Sequence, residues 1–250
     1  MIHLMFISLF ACSDSETKST ETPEAKPKTN EQAADSKPTQ RATKEVSEPK
    51  KTVDSKVPER FDVHFKTTQG DILLEVHRDW SPNGADRFYE LVKSDYYTDI
   101  AFFRAIGGFM IQFGIHGDPK ISANWRDQKL PDDPVKQSNT PGYMSYAMAG
   151  PGTRTTQMFI NLGNNQRLDS MGFAPFAKVS EENGGGMAVV KKIYTGYGEG
   201  APNGRGPNQG LVQMQGNEYL KSSFPKLDYI LSARVCGEGT APADAPTWCQ

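Results

Sequence analysis

Between Phe102 and Gly114 the chain reads Phe-Phe-Arg-Ala-Ile-Gly-Gly-Phe-Met-Ile-Gln-Phe-Gly, two short aromatic and aliphatic runs that meet at Gly107 and Gly108. Such runs on either side of a glycine pair predict two strands joined by a tight turn, since glycine reaches positive φ without a steric penalty. Arg104 and Gln112 are the polar residues of the two arms and lie about equally far from the turn. Paired arms would set a permanently charged guanidinium beside an amide, with Phe109 and Met110 as apolar floor, an arrangement suited to holding a peptide group. Alternation also permits both polar side chains to occupy the solvent face of a two-sided antiparallel sheet.

The segment resembles the signature of the cyclophilins, the peptidyl-prolyl cis-trans isomerases. Their pattern Phe-x-Arg-x-x-x-Gly-Phe-x-x-Gln-x-Gly is met at Phe102, Arg104, Gly108, Phe109, Gln112 and Gly114. Gly142-Tyr-Met-Ser-Tyr-Ala-Met-Ala-Gly150 is similar to the family's Gly-x-Leu-Ser-Met-Ala-x-Ala-Gly, and Gln157-Met-Phe-Ile to its Ser-Gln-Phe-Phe-Ile. Leu168-Asp169 and Phe176-Ala-Lys-Val179 resemble its Leu-Asp and Phe-Gly-Lys-Val pieces, so the likeness runs from about Val63 to Val235. It implies an all-β fold, a closed eight-stranded antiparallel barrel capped by two α-helices.

The same resemblance implies catalysis of X-Pro rotation, with Arg104, Phe109 and Gln112 as catalytic residues and Met110, Phe159 and Leu168 completing a proline slot. Ala147, Met148 and Ala149 would pair with the substrate backbone, and Gln157 would border the cleft. Met148 stands where the family usually has Asn, but that contact is made by main chain. Arg167 replaces an aromatic residue that many members carry before Leu-Asp, and Phe173 is the residue nearest a position where the family often has His. Phe173 is therefore expected as a pocket wall. The expected partners are proline-containing polypeptides; the other reading of the same cleft is a binding module or holdase without turnover.

Met1 to Ala11 is an apolar run too short to span a bilayer, and Leu9-Phe10-Ala11-Cys12 resembles a bacterial lipobox, although Phe10 is unusual there and no Lys or Arg precedes the run. Residues 1–11 are expected to be a signal peptide and Cys12 a lipidated N-terminus, anchoring the protein to the bacterial envelope on the periplasmic or exterior side. From Ser13 to Arg60 there is no Leu, Ile, Met or aromatic residue, and ten acidic residues balance ten basic ones. Such a stretch cannot bury enough apolar surface to offset the cost of ordering, so residues 12–60 are expected to be a disordered tether reaching roughly 35–40 Å. An isomerase domain over 61–236 and a tail over 237–250 follow.

Within the domain, alternation from Phe61 to Thr67 and from Ile72 to Val76 predicts a second hairpin, and Ser81-Pro82 a helix ending near Ser94. Residues 116–140 read as a surface loop, 142–150 and 157–161 as strands, 186–193 as the second helix and 229–235 as the last strand. Residues 196–224 are longer than in compact cyclophilins and receive no role; Glu218 to Lys221 suggests one helical turn, and Gly196 to Gly200 lacks the strand and Gly-Lys-Ser/Thr of a phosphate loop. The four histidines show no metal-ligand spacing, with His64 and His77 expected on exposed strand faces, so no metal and no cofactor is expected. A formal charge of −2 argues against a nucleic-acid face, and a monomer is expected. Cys236 and Cys249 would form a disulfide in an oxidising compartment and remain thiols in a reducing one.

Overall fold

The computed structural model describes residues 57–239, 243 and 245–250. The expected leader, the Cys12 site and the tether up to residue 56 lie outside them. Nine strands form one sheet: β1 (Arg60–Thr67), β2 (Gly70–His77), β3 (Ile100–Ala101), β4 (Arg104–Ile106), β5 (Met110–Phe113), β6 (Tyr143–Tyr146), β7 (Met158–Asn161), β8 (Pro175–Val179) and β9 (Tyr229–Val235). Neighbours run β3-β9-β1-β2-β8-β6-β7-β5-β4, every pair antiparallel.

The expected closed eight-stranded barrel is thus replaced by a curled nine-stranded sheet whose edge strands, β3 and β4, do not pair with each other. The reason lies in residues 100–106. Ile100 and Ala101 pair with β9, while Arg104 to Ile106 pair with β5. Between them Phe102 and Phe103 are buried in two different apolar clusters, so one continuous stretch serves two ladders.

Strand alternation sorts the side chains. Ile111 and Phe113 of β5, Met158 and Ile160 of β7, and Met144 and Tyr146 of β6 join Phe65, Phe88, Tyr97 and Phe176 in the main core. Met110 of β5 and Phe159 of β7 sit one residue out of phase and belong instead to a small separate cluster with Leu168. A period of two therefore divides each strand between core and cleft.

Among the described residues there are four α-helices, not the expected two. Helix α1 (Pro82–Lys93) packs its buried Ala85, Phe88, Tyr89, Leu91 and Val92 against β2, β8 and β9. Ser81 precedes it as expected, yet its hydroxyl donates to Asp133 Oδ2 at 2.5 Å and does not cap the helix. Asp133 takes over that task, accepting from the N–H of Asn83 and of Gly84. Helix α2 (Pro119–Arg126) lies inside the stretch expected to be loop; Asp118 caps it by accepting from Lys120 N–H, and Trp125 buries itself against Tyr96. Helix α3 (Gly186–Val190) stops three residues short of the expected end. Helix α4 (Gln209–Ser223) replaces the single turn expected there, with Asn208 as its cap and a kink at Gly216.

His64 and His77 are buried, not exposed. His64 Nε2 is 2.8 Å from Asp71, and His77 lies flat on Trp80 at 3.8 Å, so each ring is covered by a neighbour on its own strand face. Cys236 and Cys249 form a disulfide across Cα atoms 4.6 Å apart, holding Trp248 against the His64 ring. Helix α1 meets the start of the described region and the residues just after β9: Val57 lines a hollow with Asn83, Asp86 and Tyr89, and Glu238 accepts from Tyr89 Oη and Lys93 Nζ. Among the described residues no helix is long and apolar enough to cross a membrane.

Candidate active site

The hairpin of β4 and β5 sets Arg104 directly opposite Gln112, and β7 sets Phe159 opposite Gln112 on its other side. Cross-strand partners share a face, so a guanidinium, an amide and an aromatic ring form one row across three strands. Gly108 turns the hairpin at φ 71°. Phe109 follows it, half-buried at the rim, with the Arg167 guanidinium 4.8 Å above its ring.

The row forms one wall of a cleft of about 380 Å³. The structure brings all the residues named from the sequence to it: Arg104, Phe109, Met110, Gln112, Ala147, Met148, Ala149, Gln157, Phe159, Leu168 and Phe173. Met110, Phe159 and Leu168 form its apolar floor, with Phe173 edge-on to Phe159 at 5.7 Å. A cavity at the small end of the ligand-pocket range takes one side chain and its neighbouring backbone. Phe159 is buried yet lines this hollow, not the barrel core.

Leu168 sits in a short 3-10 helix, Gln166–Met171, whose Asp169 accepts from Ser138 Oγ at 2.5 Å and from Asn139 N–H and Nδ2 at 2.9 and 2.8 Å. Burial works to raise the Asp169 carboxyl, but these donors outweigh it and hold it below the ordinary range. The floor of the cleft is thereby pinned to the 116–140 connection.

Arg104 is engaged on two sides. Its Nη1 donates to Gln112 Oε1 at 2.9 Å, and Gln112 Nε2 donates on to Gln157 Oε1 at 2.9 Å. Its Nε and Nη2 donate to the two carboxylate oxygens of Glu199 at 2.6 and 2.7 Å. Nη1 also donates to Met110 Sδ at 3.8 Å, at the apolar floor, so of the five N–H groups of a guanidinium only one, on Nη2, is left without a partner among the described residues.

Glu199, Thr153, Thr155 and Gln209 were not named from the sequence, although the last three line the cleft and the first grips its arginine. Thr153 corrects one expectation. Residues 147–149 are not strand, β6 having ended at Tyr146: Ala147 N–H still reaches Gln157 O across the ladder, but Ala149 and Gly150 N–H turn to Thr153 Oγ1. The N–H groups of Ala147, Ala149 and Gly150 on this edge are thus engaged within the chain. Among the described residues no cluster of His, Cys, Asp and Glu could hold a metal ion.

Comparison with known proteins follows this geometry. The family model described as cyclophilin type peptidyl-prolyl cis-trans isomerase/CLD matches residues 61–214. A peptidyl-prolyl cis-trans isomerase-like 1 of Rhizopus delemar is 36% identical over 138 residues, covering 54% of this chain and 81% of its own length. Peptidyl-prolyl cis-trans isomerase B of Escherichia coli is 32% identical over 145 residues, 52% of this chain and 82% of its own. The crystal structure of a Cryptosporidium parvum cyclophilin superposes with a TM-score of 0.51 at 20% identity, over 73% of this chain and 99% of that one. A second structure of that protein was solved in the presence of the dipeptide Ala-Pro, again with a TM-score of 0.51 at 20% identity, over 71% of this chain and 99% of that one.

Proposed function

This chain belongs to the cyclophilin-type peptidyl-prolyl cis-trans isomerases, and from that membership we propose which of its residues turn the X-Pro bond and in which compartment they do so. Rotation about a peptide bond is opposed by about 18–20 kcal/mol because the C–N bond has partial double-bond character. Since cis and trans X-Pro differ by only about 0.5–1 kcal/mol, the enzyme has to favour the twisted amide over both planar forms. When conjugation breaks, the proline nitrogen becomes pyramidal and accepts a hydrogen bond. Arg104 donates it, Gln112 holds Arg104 in place, and Phe109, Met110, Phe159, Leu168 and Phe173 receive the ring. Met148 and the carbonyls of Ala147 and Ala149 take the flanking peptide, beside Gln157.

The observation that carries this reading is the permanently charged Arg104, its Nη1 held only by an amide oxygen and a thioether, standing at the wall of a hollow with an apolar floor. A protease-coupled assay on an X-Pro peptide tests it. Arg104→Ala should lower kcat/KM by about 10²-fold, the typical cost of losing one preorganised donor. A wild-type protein with no rate above the uncatalysed background would leave only a proline-peptide binder.

The clients are exported proteins, reached by a monomer anchored through lipidated Cys12 to a bacterial envelope, with residues 13–60 as tether, 61–236 as the catalytic domain and 237–250 as a tail. The Cys236–Cys249 disulfide supports an oxidising compartment, and the composition of residues 13–60 supports a tether. Labelling cells with a fatty-acid analogue tests the anchor: the label should disappear in Cys12→Ala, and its retention there would exclude this cysteine.

A further inference from the structure

The segment between α3 and α4 has a construction that the reading so far leaves unused. Gly198 bridges to Ala105 on β4, next to Arg104, so the segment is fastened to the edge of that strand. Glu199 is then fixed twice. Gly206 N–H donates to its carbonyl at 2.8 Å, and Gly200 N–H donates to its carboxylate Oε1 at 2.9 Å. Gly204 closes so near that an added Cβ would stand 2.3 Å from the Glu199 carbonyl oxygen. At the far end of the segment, Tyr194, Tyr197, Phe224 and Tyr219 pack edge-on in a row. This glycine-rich stretch is a rigid bracket, and what it presents is one carboxylate, aimed at the Nε and Nη2 of Arg104.

We propose that Glu199 is a positioning residue for isomerisation: it locks the guanidinium by its Nε edge, so that its Nη1 end faces the cleft throughout turnover. The proposal rests on Arg104 as the donor to the twisted amide. Two effects of a carboxylate here oppose each other. It offsets part of the arginine's charge, which would weaken the donor, and it fixes the direction of that donor. The Glu199 side chain is 37% exposed, so solvent screens the first effect. The second is geometric and unscreened, because a flexible guanidinium must otherwise be ordered anew at each catalytic event. Direction therefore outweighs charge, and removing the carboxylate slows the enzyme. The neutral pair Gln112 and Gln157 cannot substitute, since Gln112 accepts only from Nη1, Gln157 holds Gln112, and the Nε edge stays open.

The test uses the full chain and an X-Pro peptide, with kcat and KM separated by NMR exchange spectroscopy. Glu199→Gln should lower kcat by about 5–10-fold with KM within about two-fold, as expected for an interaction that acts in the transition state. Glu199→Lys, which repels the guanidinium, should lower kcat further. In an Arg104→Ala background neither substitution should change the residual rate, which separates action through Arg104 from damage to the fold. Unchanged or increased kcat in Glu199→Gln, with Arg104→Ala still impaired, overturns the positioning role alone. An equal fractional loss in both backgrounds overturns it as well. Wild-type turnover by Arg104→Ala would instead remove the reading on which it rests.

Discussion

At the scale of single residues, the charge of Arg104 is fixed and its direction is what the protein adjusts. Lysine carries the same charge as a point on a flexible stem, and cannot serve Glu199, Gln112 and a substrate nitrogen together. Arg104→Lys should therefore lose at least about 10-fold in kcat/KM while the melting temperature stays within a few degrees, read by the coupled assay and by calorimetry. The pairing of Arg104 with Gln112 was legible, because both are counted from one glycine turn. The membership of Phe159 in the cleft was legible only through family resemblance, since any lone Phe in a strand suits a core equally well. Glu199 was not legible at all. It lies 95 residues from its partner, in a stretch whose glycines read as looseness, although Gly200, Gly204 and Gly206 each allow a close backbone approach.

At the scale of elements, the start of α1 depends on a side chain from elsewhere. Asp133 receives Ser81 Oγ, two backbone N–H groups and Arg154 Nη2, the last at 3.0 Å, and its side chain is 2% exposed. Burial alone would raise its carboxyl, but the donors outweigh burial and hold it below the ordinary range. Asp133→Ala would leave Arg154 buried without that partner and should cost about 3–5 kcal/mol, whereas Ser81→Ala should cost about 1 kcal/mol, both measured by denaturant unfolding. Gly114 closes the signature for a comparable reason of geometry. Its φ is 102°, and a Cβ would meet Thr156 O at 2.2 Å, so Gly114→Ala should displace β5 and with it Gln112, lowering both stability and turnover. The two hairpins and α1 were legible from alternation and helical spacing. Helix α2 was hidden because its apolar content is only Ile121 and Trp125, yet Asp118-Pro119 is a cap followed by proline and was a usable signal. The splitting of residues 100–106 between two ladders was not legible, since it depends on which neighbours each half finds.

At the scale of the whole molecule, pH and redox state bear on stability from different places. His77 and His116 are both held below the ordinary histidine value, chiefly by burial, and His116 Nε2 has no partner among the described residues. A ring kept neutral in the folded state gives stability that is full above about pH 6.5, the unfolded value, and declines as pH falls from there towards the folded one. The melting temperature should therefore drop between about pH 7.5 and 5, and His77→Asn with His116→Asn should flatten that part of the profile. Reduction of the Cys236–Cys249 bond, which spans 13 residues, should cost about 3 kcal/mol on chain-entropy grounds, visible as a lower denaturant midpoint with and without reductant. A last consequence follows from the meeting of Val57 and Glu238 at α1, none of whose residues borders the cleft. Coupling the folded region to a bead or sensor chip through the stretch that leads into Val57 leaves its working mouth unobstructed, so an immobilised preparation should process peptides as fast as one free in solution.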